Sequence, residues 1–158
     1  MYDCVRGYMQ AAYSVADDPA GAQFLEWSNY SLVPYVSATH GNRYVMNYGN
    51  DAAAAYGDYE EAGTLPAGAK LAKNSFVVSP AGQVSVGPLF LMEKMDAGFS
   101  EASADWKYTM VMPDGSTFGV TAGANSAAVE FCIECHLSLG EEQDSLLFLP
   151  EDYRLTKN

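Results

Sequence analysis

Histidine and cysteine are nearly absent from this chain, whose 158 residues hold two of the first and three of the second. A closed zinc site draws four ligands from those residue types in spaced pairs. Here a second pair would have to come from Cys4 and His40, which have no paired spacing. Positive charge is also scarce, with eight Lys and Arg against 20 Asp and Glu and a net charge of −12. Such a surface repels phosphate backbones, which argues against nucleic acid, and would attract a basic redox partner protein over long range. No apolar run approaches the roughly 20 residues that a membrane-crossing helix needs. Met1 is not followed by the basic and then apolar stretch of a secretory leader. Linkers, repeats and low-complexity tracts are missing too, so one domain over residues 1–158 is the expectation.

What is present suits a folded core: hydrophobic residues make up 49% of the chain, too many for a disordered tail. The first 62 residues read as mostly helical, with 1–42 as a helical N-terminal segment. Asp17 or Asp18 before Pro19 signals a helix start, with Phe24 and Trp27 three apart on its buried face. From Arg43 to Ala62, Tyr44, Tyr48, Ala52, Ala55, Tyr56 and Tyr59 recur at three- and four-residue steps. That spacing predicts a helix ended by Gly63 and Pro66. Beyond Pro66 the pattern predicts strands over 68–78 and 83–95 joined by "SPAGQ". "DWKYTMVM" alternates, with Trp106, Tyr108, Met110 and Met112 on one face, and "PDGS" turns it back into a strand over 116–121. Residues 125–136 read as a short helix capped by Asn125 or Ser126. The expected fold class is α+β: an antiparallel β-sheet with N-terminal helices and a short C-terminal helix.

That last helix carries "FCIECH", residues 131–136. C-x-x-C-H is the attachment signature of a c-type haem. Two thiols three apart share a helix face, so Cys132 and Cys135 can both reach the vinyl edge of a porphyrin. His136, four beyond Cys132, can ligate the iron through a neutral imidazole nitrogen. A thioredoxin-like pair would need βαβ surroundings that the pattern lacks, and a Cys132–Cys135 disulfide is strained at that spacing. Covalent haem attachment takes place outside the bacterial inner membrane, so a periplasmic protein whose export signal is missing here is the expectation. Cys4 is then the odd cysteine: a buried thiol, half of an intermolecular disulfide, or the remnant of an anchor region.

The sixth iron position separates an electron carrier, which fills it with Met or His, from a catalyst or gas binder, which leaves it open. His40 is either such a ligand or, as lone histidines usually are, a capping or surface residue. Met92, Met95, Met110 and Met112 are the other candidates, although their strand spacing suits core packing. A haem motif this late, after two hairpins, fits poorly with the small helical cytochromes, which carry it near the N-terminus.

Residues 43–155 resemble the cytochrome P-460 family, which includes cytochrome c-prime-beta relatives. The likeness rests on "RYVMNYGNDAAAAY", "LPAGAKLAKNSF", "GPLFLMEKM", "DWKYTMVMPDG" and "FCIECH", in that order. It implies a mainly antiparallel β fold with helices, commonly a homodimer, binding one covalent haem c with a distal face open to hydroxylamine and nitric oxide. It also implies an oxidoreductase that takes electrons from hydroxylamine, in which a lysine makes an extra bond to the porphyrin edge. The matching residue is Lys73. Strand periodicity alone does not choose between Lys73 and Lys70, because both faces carry apolar residues. Phe76, Phe90 and Met92 are the candidates for an apolar distal wall. Glu93, Asp96 and Asp105 are candidate proton acceptors, none singled out by spacing. The alternatives are a non-enzymatic gas binder like cytochrome c-prime-beta, without the cross-link, or a simple electron-transfer cytochrome.

Overall fold

The computed structural model describes residues 2–155, with Glu141 described in its backbone alone. Its α-helices are α1 (Tyr2–Tyr13), α2 (Ala20–Gln23) and α3 (Glu130–Gly140). The strands are β1 (Ser28–Asn29), β2 (Tyr35–Ser37), β3 (Arg43–Gly49), β4 (Lys70–Val78), β5 (Val84–Val86), β6 (Leu89–Lys94), β7 (Trp106–Val111) and β8 (Thr117–Val120). They form one antiparallel sheet in the order β1-β3-β4-β6-β7-β8, with β2 also on β3 and β5 also on β4. The fold is therefore α+β, as the order of sequence patterns implies. Among the described residues no helix is long and apolar enough to cross a membrane.

Both faces of this sheet are covered, and strand alternation sorts the side chains between them. On one face Val5, Met9 and Tyr13, spaced four apart on α1, pack with Phe24 against Met46, Tyr48, Ala72, Phe76, Leu89, Leu91 and Val111. On the other, Val45, Leu71, Trp106 and Tyr108 pack with Tyr30, Tyr35, Tyr56, Leu65, Leu146 and Leu149. Burial of apolar surface on two faces is the main stabilising term, at about 25 cal/mol per Å².

The predicted helix from Arg43 to Ala62 does not form. Arg43–Gly49 is a strand, and a 3₁₀ helix follows over Asp51–Glu61. The reason is burial on both faces: residues 45–49 are all buried, which erases the alternation of a strand, while Tyr44 and Tyr48, four apart on one face, mimic a helical stripe. Asn50 separates the two elements, its side-chain oxygen accepting from Ala53 N and Lys70 N. The 1–42 segment is likewise only partly helical, since it also contributes β1 and β2.

The hairpins follow the predicted turns. Ser79 N donates to Gln83 O at the first, and Gly115 adopts φ +83° at the second. The strand expected over 83–95 is broken at Gly87 and Pro88, where Tyr13 Oη donates to Gly87 O and Ser75 Oγ to Pro88 O, each at 2.6 Å. A side chain at Gly87 would collide with Ser75 Oγ. The terminal helix begins as a 3₁₀ turn at Ser126–Val129 and continues as α3 to Gly140, so the cysteines sit in its middle rather than at its end. Asn125 does not cap it; its amide instead donates to Phe118 O.

Candidate functional site

A cavity with about 830 Å³ of empty space, counted to its solvent mouth, lies between α3 and the sheet. Its floor is built from two cross-strand rows. Asn47, Lys73 and Phe90 lie side by side on β3, β4 and β6, and Leu71, Met92 and Tyr108 on β4, β6 and β7. Cys132, Cys135 and His136 of α3 line the same space, at the spacing that puts all three on one helix face. Leu146, Leu147, Tyr56, Thr39 and His40 also line it, and half-exposed Phe131 stands at the mouth.

The strand register separates the two lysines that periodicity left open. Lys73 points into the cavity, whereas Lys70 is on the opposite face, paired with Glu93, which also binds Lys107. Phe76 goes with Lys70's face: it stacks on Tyr44 at 5.3 Å under α1 and takes no part in the cavity. Phe90 and Met92 do line it, so two of the three expected wall residues are there. Met95, Met110 and Met112 are not among the lining residues. The candidate proton acceptors are also elsewhere. Glu93 is held between two lysines on the far face, Asp96 is exposed, and Asp105 accepts from Ser100 N at 2.9 Å. Among the described residues no Asp or Glu lines the cavity.

His136 is held by one ring nitrogen. Its Nδ1 lies 2.8 Å from the carbonyl oxygen of Ser145, which can only accept. The proton of the neutral ring therefore sits on Nδ1, and Nε2 keeps its lone pair free. Burial, with Lys73 adding to it against the Ser145 bond, lowers its pKa to about 4, which keeps the ring neutral at pH 7. Lys73 has no carboxylate partner, and burial lowers its pKa to about 8 against a weaker opposite pull from Cys135. Burial raises Cys132 to about 11.

His40 is the residue whose place the sequence reasoning misjudged. Rather than capping a helix or lying on the surface, it ends a 3₁₀ turn (Ala38–His40) on the cavity wall. Its ring meets Phe90 edge-on at 4.8 Å, and its Nδ1 lies 2.8 Å from Ser37 Oγ. Burial, then Lys73 and His136, hold its pKa far below the ordinary imidazole value. A lone histidine before a strand gives no periodic signal of which way it faces. Tyr108 was missed as a site residue as well, having been read as one member of an alternating face.

These residues fit a haem. The wall is mostly apolar, one imidazole nitrogen is free, and two thiols share its helix. The buried hydroxyl of Tyr108 has no hydrogen-bond partner, a cost that a polar group bound in the cavity would relieve. Among the described residues no three His, Cys, Asp or Glu side chains are grouped to hold a metal ion unaided. A haem iron asks the protein for one imidazole only. Cys4 is exposed on α1, which removes the buried-thiol alternative. No family model matches the chain, and no curated protein matches it.

Proposed function

We propose that this is a periplasmic mono-haem c-type protein of the cytochrome P-460 kind, with an open distal site for small nitrogen species, that oxidises hydroxylamine or handles nitric oxide. One observation carries the reading: Cys132, Cys135 and His136 share a cavity with a half-buried lysine, Lys73, that has no carboxylate partner among the described residues, and His136 has its Nδ1 tied back and its Nε2 free. The two cysteines would anchor the group, His136 would ligate it, and Lys73 is placed to reach its edge. A bound haem c would supply an iron that takes a small ligand and exchanges electrons with it. Phe90, Met92 and Leu71 would exclude bulky ligands and water from the floor. A Lys73 amine with its pKa near 8 is neutral in an appreciable fraction at pH 7 to 8, the form in which it is a nucleophile.

The lack of a lining carboxylate favours a second reading, a non-enzymatic gas binder of the cytochrome c-prime-beta kind, because hydroxylamine oxidation must release protons to an acceptor. Met92 in the wall keeps a simple electron carrier as a third. Expression with haem-maturation machinery, then intact and peptide mass spectrometry, sorts them. The expected product is the chain plus one haem, with the haem peptide also carrying the Lys73 peptide. Haem without the Lys73 peptide selects the gas binder. A six-coordinate, low-spin reduced haem that ignores carbon monoxide selects the carrier. A chain with no haem sinks all three.

A further inference from the structure

We propose that His40 is the distal residue of this cavity, donating a hydrogen bond from Nε2–H to a small nitrogen ligand rather than ligating iron itself. The inference rests on the haem reading above and adds the residue that meets the ligand. Two histidines line one cavity from separate elements, His136 from α3 and His40 from the turn between β2 and β3. They differ in what holds Nδ1. His136 faces a carbonyl, which forces the proton onto Nδ1 and frees Nε2 as a ligand. His40 faces two hydroxyls instead, Ser37 Oγ at 2.8 Å and Thr39 Oγ1 at 3.2 Å.

Ser37 is buried, and its hydroxyl has one other neighbour, Thr39 Oγ1 at 3.3 Å. The 2.8 Å contact permits either direction, and we take the one in which Ser37 Oγ donates its proton to His40 Nδ1, the nearer of its two neighbours. With that lone pair taken, the proton of the neutral ring belongs on Nε2, which has no hydrogen-bond partner among the described residues. Neutrality follows from the surroundings: burial first, then Lys73 in the same cavity, with no Asp or Glu among the described residues lining it to stabilise an imidazolium. The edge-on contact with Phe90 at 4.8 Å holds the ring's plane. A donor fixed in advance at low dielectric favours ligands whose outer atom carries a lone pair, such as bound nitric oxide or the oxygen of hydroxylamine.

The test compares the haem-loaded protein with His40→Leu, His40→Gln and Ser37→Ala. Nitric oxide dissociation from the ferrous protein is followed by stopped flow, and the stretch of bound carbon monoxide by infrared spectroscopy. In His40→Leu the dissociation rate should rise about tenfold, the effect of one lost buried hydrogen bond, and the stretch should move to higher frequency. His40→Gln, which keeps an N–H donor, should restore most of both. Ser37→Ala should shift both in the direction of His40→Leu, and it keeps the idea testable if the leucine variant does not fold. Unchanged rate and stretch in the leucine variant, or in Ser37→Ala where that alone folds, would overturn the proposal. So would a low-spin wild type that turns five-coordinate in His40→Leu, since His40 would then be an iron ligand. Haem content is measured on each sample; a wild-type chain that takes none overturns the haem reading and this inference with it.

Discussion

The Nδ1 of His136 lies 2.8 Å from Ser145 O, and that carbonyl is held by a network belonging to the preceding residue, Asp144. Asp144 Oδ2 accepts from Leu65 N at 3.0 Å, its carboxylate pairs with Lys94, and its carbonyl accepts from Trp106 Nε1 at 2.7 Å. Lys94 in turn lies over the Trp106 ring at 5.1 Å. Asp144 and Ser145 both have positive φ, +53° and +61°, a conformation non-glycine residues adopt at a cost and keep only where their surroundings hold them. His136 is thus oriented by a fixed loop as well as by the helix that carries it.

Asp144→Asn should therefore loosen the hold on His136 as well as destabilise the chain. The pair is well buried, with 12% and 7% of the Lys94 and Asp144 side chains exposed. Removing one charge from such a pair costs on the order of 3 kcal/mol, because the other is left uncompensated. Urea unfolding should show that loss. Resonance Raman of the haem-loaded variant should show a weaker or broader iron–histidine stretch. An unchanged stretch would mean that the Ser145 carbonyl does not depend on this network.

Lys73 and Lys70 give a matched comparison. Lys73→Met relieves the burial of a charge without a partner, so the haem-free chain should gain roughly 1–2 kcal/mol while the loaded protein loses any second attachment. Lys70→Met removes one of two cations from Glu93 at a partly exposed position, and should change stability by less than about 1 kcal/mol. Thermal unfolding of both forms, with peptide mass spectrometry of the loaded ones, checks this. A second haem-linked peptide, beside that of Cys132 and Cys135, that survives Lys73→Met would rule out Lys73 as the source of the extra bond.

Much of this site was legible in the sequence, and the rest was hidden for definite reasons. "FCIECH" and the hairpin turns declare themselves through fixed spacing and turn chemistry, which need no tertiary context. The row of Asn47, Lys73 and Phe90 could not be read, since it depends on register between strands distant in the chain. Phe76 was placed on the wrong wall for a different reason: it shares a strand with Lys73 at the opposite parity, which alternation within the strand already excludes. β3 read as a helix because residues 45–49 are buried whichever face they occupy, which erases the alternation by which a strand is recognised. His40 sits where nothing periodic surrounds it.

Second-attachment chemistry at Lys73 should depend on pH in a stated direction. Its folded pKa, about 8, lies below the ordinary lysine value of 10.5. The nucleophilic neutral amine therefore grows as pH rises through 8. Replacing a porphyrin C–H by C–N releases two protons and two electrons, so peroxide is supplied as the oxidant. The yield of the Lys73–haem peptide should then rise from pH 6.5 to pH 9. The linkage to stability has the same sign. Between about 8 and 10.5 the unfolded chain binds the extra proton, so this group's contribution to stability increases with pH across that window. Its cost is fully present below 8. Unfolding of wild type and Lys73→Met at pH 7 and pH 10 measures the difference, which should shrink at the higher pH. A difference independent of pH would show that Lys73 titrates alike in both states.

The Tyr108 hydroxyl supports a prediction whose sign reverses with haem. In the haem-free chain this buried group has no hydrogen-bond partner, while its ring packs 5.2 Å from that of His136. Tyr108→Phe keeps the ring and removes the unsatisfied hydroxyl, so the haem-free chain should be unchanged or gain about 1 kcal/mol. If a polar group of the bound haem or its ligand meets the hydroxyl, the loaded variant should lose stability by a similar amount relative to loaded wild type. Urea unfolding of both proteins in both forms gives the four values required. An equal effect with and without haem would show that nothing bound in the cavity reaches Tyr108, and would withdraw the orphaned hydroxyl as support for a haem in this site.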